Sequence, residues 1–304
     1  MANNAGTVFV LEGVNQRRLR GTNADDSVRG SAAQPWVWNG RRGVIQLRGG
    51  DDRLEGGRYV RLNGETTLGK GDDTVAARDF IALLAVDQFN GSLSTGGGDD
   101  VITVTAGALQ VGEDSRVDLG DGGDRIEAAA AALLGGFLDT GRGADRILLG
   151  EGNLVISLGS LEMGKGHDRL IASDGLRLRD GSAALGGGDD LIDVRRGGLD
   201  HWGSPASCLD LGAGDDRLIG FASVPEPGGG AEPGAGLRGG TGRDTLVLPT
   251  GVYAVDAGRI STTDALLPVR GVNVLAGLSG GSFCYAPGTL TVDAAGMASF
   301  VPEA

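Results

Sequence analysis

What most limits the fold of this chain is a repeat. One eight-residue pattern recurs as LRGGDDRL (47–54), LGKGDDTV (68–75), TGGGDDVI (95–102), LGDGGDRI (119–126) and TGRGADRI (140–147), and again as MGKGHDRL (163–170), LGGGDDLI (185–192), LGAGDDRL (211–218) and GGTGRDTL (239–246). A tenth, degenerate copy is GTNADDSV (21–28), where Ala24 replaces a glycine. Across the nine regular copies the fourth position is always Gly and the sixth always Asp. The eighth is Leu, Ile or Val, and the tenth is apolar or Gly, as in Ala77, Val104, Leu149, Val194 and Leu248. Apolar residues two apart are the signature of a strand with one face turned inward. The same alternation precedes the turn, as in Val117–Leu119, Leu161–Met163 and Leu209–Leu211. Each copy therefore reads strand, Gly-rich turn, strand.

Successive sixth-position Asp residues lie 26, 21, 27, 24, 21, 23, 22, 26 and 28 residues apart. Such irregular spacing fits coils whose insertions bulge from loops, and it does not fit a helical register. The spacers carry further short apolar segments, among them Tyr59-Val60, Leu83-Leu84, Leu133-Leu134 and Leu154-Val155. The expected fold is all-β: a parallel β-solenoid of about ten coils of 21–28 residues, each with two or three short strands. Stacked at about 4.8 Å, the coils would form a rod on the order of 50 Å long.

Composition agrees with a thin core and many turns. There are 58 glycines, aromatic residues are only 4%, and hydrophobic residues still reach 40%. The formal net charge of −13 argues against nucleic acid or an anionic membrane and fits a cation ligand. Cys208 and Cys284 make no disulfide framework; one bridge is open to them, and two reduced, buried thiols are favoured. The N-terminus shows no secretory signal pattern, and no run of about 18 apolar residues exists to span a membrane.

Stacking coils in register stacks like side chains. A ladder of carboxylates roughly 5 Å apart repels by about 1 kcal/mol per pair in a water-like medium and about 3 at an effective dielectric near 20. The sixth-position row is Asp52, Asp73, Asp100, Asp124, Asp145, Asp168, Asp190, Asp216 and Asp244, and the fifth position adds Asp51, Asp72, Asp99, Asp189 and Asp215. A divalent cation between turns would reverse the sign. Ca²⁺ suits oxygen ligands in flexible geometry, whereas Zn²⁺ wants Cys or His and Mg²⁺ a stricter octahedron. His167 and His201 are expected at the surface. Two rivals need no ion: Asp can cap its own turn, and Arg53, Arg125, Arg146, Arg169 and Arg217 can neutralise the ladder.

The pattern resembles the glycine-rich nonapeptide of RTX proteins, G-G-x-G-x-D-x-U-x with U a large aliphatic, over residues 47–248; GGTGRDTLV (239–247) fits at every position. The resemblance implies a right-handed parallel β-roll that folds on binding Ca²⁺, and export by a type I system reading a C-terminal signal. Family copies run in direct tandem, whereas one copy per 21–28 residues here implies ions along one edge only.

Residues 1–18 are expected to form an N-terminal cap and 249–304 a C-terminal β cap overlapping any export signal, with 19–248 the solenoid between them. The Pro- and Gly-rich stretch 222–237 reads as an exposed loop. The favoured function is a secreted or cell-surface calcium-binding structural or interaction protein, with cell-surface polysaccharide or self-association as its contacts. A polysaccharide lyase or epimerase on a β-helix is the enzymatic alternative. No nucleophile–base constellation supports it, and His201-Trp202 is the one suggestive spot. A metal-independent solenoid is a third reading. An ice-binding face would need flat Thr ladders, and Thr shows no such register.

Overall fold

The computed structural model describes residues 6–83, 90–202, 207–221 and 236–303, all but the side chain at 202. Among these the chain forms only strands, turns and bends. Among the described residues no helix is long and apolar enough to cross a membrane.

The chain winds about nine turns through three sheets of thirteen, eight and fifteen strands, and eight successive coils contribute one strand to each. One coil shows the plan. Strand Arg116–Asp121 lies in the fifteen-stranded sheet, and the Gly-rich turn leads to Arg125–Ala128 in the thirteen-stranded sheet. Ala130–Leu134 follows in the eight-stranded sheet, and Phe137–Asp139 starts the next coil. These eight coils have three strands each, and neighbouring coils pair in parallel.

Register is set by the apolar periodicity. The eighth-position residues stack as one inward column, with Val75 on Ile102, Ile102 on Ile126, Ile126 on Ile147 and Ile147 on Leu170. All are essentially inaccessible to solvent. Slipping one residue would turn the column outward, so burial of each aliphatic side chain, about 1.5–3 kcal/mol, holds the register. The spacer segments supply the third wall, with Leu109, Leu133, Leu154 and Leu176 all buried. On the outer face of the eight-stranded sheet Trp36, Tyr59 and Phe80 stack with ring centroids 5.7 and 4.9 Å apart.

The parallel sheets take in strands from both end segments. Val8–Leu11 pairs with Ser27–Gly30, and Val272–Gly277 pairs with Asp244–Leu248. Beyond them Gly251–Asp256, Gly288–Val292 and Ala298–Pro302 run antiparallel and cover the C-terminal end.

Three expectations are corrected. His201 is buried, at the end of the inward column after Leu178, because its strand follows the same alternation as Leu176–Arg179. Its Nε2 has no hydrogen-bond partner, and burial lowers its pKa. Cys208 is buried but Cys284 is exposed, and both are free thiols. Gly236 and Leu237 are buried and begin the strand Gly236–Thr241, so they do not belong to an exposed loop, while 222–235 lie outside the described residues.

Candidate cation edge

All the Gly-rich turns lie along one edge, between the fifteen- and thirteen-stranded sheets. Two glycine columns build it. The fourth-position glycines have positive φ throughout, from +102° at Gly50 to +154° at Gly122. So do the second-position glycines, and Arg48, the one exception in that column, has φ +91°. Close approach adds to the demand for glycine. A Cβ at Gly71 would lie 2.3 Å from the Gly50 carbonyl oxygen, and one at Gly98 would lie 2.2 Å from that of Gly71. Carbonyl oxygens thus point along the edge from each turn into the next, which only glycine permits.

The sixth-position Asp side chains form the inner row. All nine, and Asp26 before them, are 0–2% exposed. Each Oδ1 accepts a hydrogen bond from the backbone N–H of the Asp one coil earlier, at 2.7–3.2 Å from Asp52 to Asp244. These carboxylates therefore cap the neighbouring turn and not their own. The other oxygen is the anomaly. Oδ2 of Asp52, Asp73, Asp100, Asp124, Asp145, Asp168, Asp190, Asp216 and Asp244, one in each regular copy, is buried without a hydrogen-bond partner. An unpaired buried acceptor costs about 1–3 kcal/mol, and more when charged.

The row ends where the chain satisfies it. Asp26 has both oxygens bonded, by the N–H groups of Thr7 and Thr22. At the other end the neutral Asn273 accepts from the Asp244 N–H at 2.7 Å through its amide oxygen. Asn273 stands in GVNVL (271–275), a further degenerate copy with Asn for Asp, which sequence reading missed. Asp25 and Asp26 were also passed over, although GTNADDSV carries them in phase. The second-position glycines were the third omission, and their recurrence in eight of the nine copies was the available signal.

The electrostatics follow from burial. It raises Asp73 to about 8, Asp52, Asp124, Asp168 and Asp190 to about 7, and Asp100, Asp145 and Asp216 to about 6. Asp244 is raised by the same cause. Neighbouring carboxylates add to the rise, and the hydrogen bonds from backbone N–H groups of the adjacent coil oppose it. The Thr95 and Thr140 hydroxyls donate to the Leu119 and Met163 carbonyls at 2.9 Å, so the Oδ2 atoms of Asp100 and Asp145 stay unpaired. The arginines after the Asp residues do not reach the row. They face outward, where Arg53 pairs with Glu55 at 3.1 Å and Arg125 pairs with Glu127.

The fifth-position side chains form an outer row, exposed and bonded the opposite way. Oδ1 of Asp51, Asp72, Asp99, Asp189 and Asp215 accepts from the fifth-position N–H of the following coil at 2.7–2.9 Å. His167, exposed as expected, accepts through Nδ1 from the Asp189 N–H.

The donors suit a hard cation: buried, unpartnered carboxylate oxygens beside turns rich in carbonyls, with no thiol among them. No group of three or more His, Cys, Asp or Glu side chains converges among the described residues. An ion here would thus take few carboxylates and draw its other ligands from backbone oxygen or water.

Comparison with known proteins supports the architecture. A solved structure described as a hyperactive, Ca²⁺-dependent, β-helical antifreeze protein from an Antarctic bacterium is similar in fold. It shares 19% identity, with 82% of this chain and 73% of that one covered at a TM-score of 0.52. No family model matches the chain. No curated protein matches it either. The likeness shows a β-helical fold.

Proposed function

We propose that this solenoid is a calcium-binding structural or interaction protein of the cell exterior, completed by Ca²⁺ along its Gly–Asp edge. The observation that carries the reading is the row of nine buried, unpartnered Asp Oδ2 atoms. Burying a carboxylate with one oxygen unpaired is costly, and one per coil repeats the cost along the rod. Bound Ca²⁺ would supply positive charge and accept the orphaned oxygens. Asp52, Asp73, Asp100, Asp124, Asp145, Asp168, Asp190, Asp216 and Asp244 are the proposed ligands. Asp51, Asp72, Asp99, Asp189 and Asp215 add negative potential from the exposed side. The Ca²⁺ dependence of the similar β-helical protein supports the same reading.

Metal binding to the folded state alone stabilises by mass action, about 2.7 kcal/mol at a hundredfold excess over Kd. Thermal unfolding followed by circular dichroism, with EDTA, Ca²⁺ or Mg²⁺ at equal ionic strength, tests it. The melting temperature should climb with Ca²⁺ well beyond any rise with Mg²⁺. Coincident curves in Ca²⁺ and EDTA would sink the proposal. Millimolar affinity suits a calcium-rich exterior, and export through a C-terminal signal belongs to the same proposal. Secretion tested with and without residues 249–304 checks it.

A proton-filled, metal-independent ladder is the second reading, favoured by the Oδ1 bonds already in place and by carboxyl pKa values near neutrality. The pH experiment below separates the two. Antifreeze activity is not proposed. The outward column Thr67, Ser94, Asp118, Asp139, Glu162 presents carboxylates where a regular row of hydroxyls is wanted. Thermal hysteresis should be absent. Catalysis is not proposed either. A shallow groove of about 740 Å³ is lined by Thr103, Glu127, Leu148, Glu151 and Ile171 without His or Tyr, so oligouronates should pass unchanged.

A further inference from the structure

The outer row has a gap of two coils. Elsewhere the fifth-position N–H donates to a side chain of the preceding coil. Those of Asp51, Asp72, Asp99, Gly123, Asp215 and Arg243 reach an Asp Oδ1, and that of Asp189 reaches His167 Nδ1, all at 2.7–3.0 Å. Ala144 and His167 are the exceptions among the regular turns, because the residues one coil before them are Gly123 and Ala144, which carry no acceptor. Both residues are exposed, and their amides are about 4.8 Å apart by strand spacing. In the same turns, two residues upstream, stand Arg142 and Lys165, stacked on adjacent coils and both exposed. Arg142 has only a loose contact, 3.9 Å, with Asp121.

From this geometry we propose that the gap binds a pair of carboxylates from outside the chain. Each takes the place that an Asp side chain occupies in the other turns. The amides of Ala144 and His167 donate to the two carboxylates, and Arg142 and Lys165 supply the positive charge. Charge-assisted bonds of this kind are stronger than neutral ones. Asp121, Asp118, Asp139 and Glu162 lie on the approach from the fifteen-stranded sheet and oppose an anion, but Asp139 is engaged by Arg116 at 2.8 Å. The ligand therefore enters from the turn side. The inference stands whether the inner row holds ions or protons. Its chemistry is that of a small dicarboxylate or of successive sugars in a uronic acid polymer.

The test is an amide NMR titration of the whole chain with glutarate and with trigalacturonate, in excess Ca²⁺. The Ala144 and His167 amides should shift far more than those of Asp72 and Asp99. Stronger binding of glutarate assigns the site to small dicarboxylates, and stronger binding of trigalacturonate assigns it to uronate polymers. The double variant Gly123→Asp with Ala144→Asp supplies the missing acceptors and should weaken binding more than tenfold while the protein stays folded. There is room for it: a Cβ at Gly123 meets nothing closer than 3.4 Å, and its φ is ordinary. Arg142→Ala with Lys165→Ala should weaken binding without filling the gap. Equal shifts at Asp72 and Asp99, no shift with either probe, or unchanged affinity in the filled variant would overturn the proposal. So would self-association that shifts the same amides without added ligand.

Discussion

The inner and outer rows of the Gly–Asp edge are one residue apart in sequence and differ in almost every physical respect. Asp73 is wholly buried, reaches back to the preceding coil and leaves one oxygen unpaired, and its pKa rises to about 8. Asp72 is exposed, reaches forward to the next coil, and water can solvate whatever the protein does not. Alternation across the turn sends one carboxylate inward and the next outward. The same functional group is then a stability problem in one row and a surface feature in the other.

The sharpest break of this comparison is steric. Gly71→Ala places a Cβ 2.3 Å from the Gly50 carbonyl at φ +122° and should cost about 3–5 kcal/mol, whereas Gly123→Ala in the outer row should be neutral or stabilise by about 0.5 kcal/mol. Denaturant titration of both variants with Ca²⁺ present measures the contrast. Next comes charge. Asp73→Asn keeps an acceptor for the Asp52 N–H but removes the buried negative charge. In EDTA at pH 8 it should be more stable than the parent by about 1–2 kcal/mol, and its gain on adding Ca²⁺ should shrink.

The pH response has a sign opposite to ordinary acid denaturation. The ion-free fold holds inner-row protons that the unfolded chain would release above the ordinary carboxyl value of 3.8. Its stability contribution is full below about pH 4 and is lost as pH rises through about 6 to 8. In EDTA the melting temperature should therefore fall between pH 5 and 8. In saturating Ca²⁺ the fall should flatten, since the ion competes with protons; a fall of equal size in both would favour the proton-filled ladder. The smallest effect belongs to the outer row, where Asp72→Ala removes one exposed bond and should cost under about 1 kcal/mol.

Much of this edge was legible beforehand. Gly71 and Asp73, recurring with an aliphatic two residues after the Asp, marked the turn and its inward column because a two-residue period has only two faces. Asn273 was less visible, since a neutral amide ends the row by doing half of what Asp does. His201 was misplaced for a related reason: a polar residue in an inward phase is still carried into the core by its strand.

Local sequence alone therefore determined the repeat unit, the parallel stacking and the single edge on which the carboxylates collect, all consequences of side-chain alternation and of glycine's access to positive φ. Only the tertiary structure decided which oxygen of each Asp is bonded, which is stranded and where the outer row is broken. Those depend on the coil above and the coil below, 21 to 28 residues away in the chain, and hydrogen-bond geometry across that distance exists only once the coils are stacked.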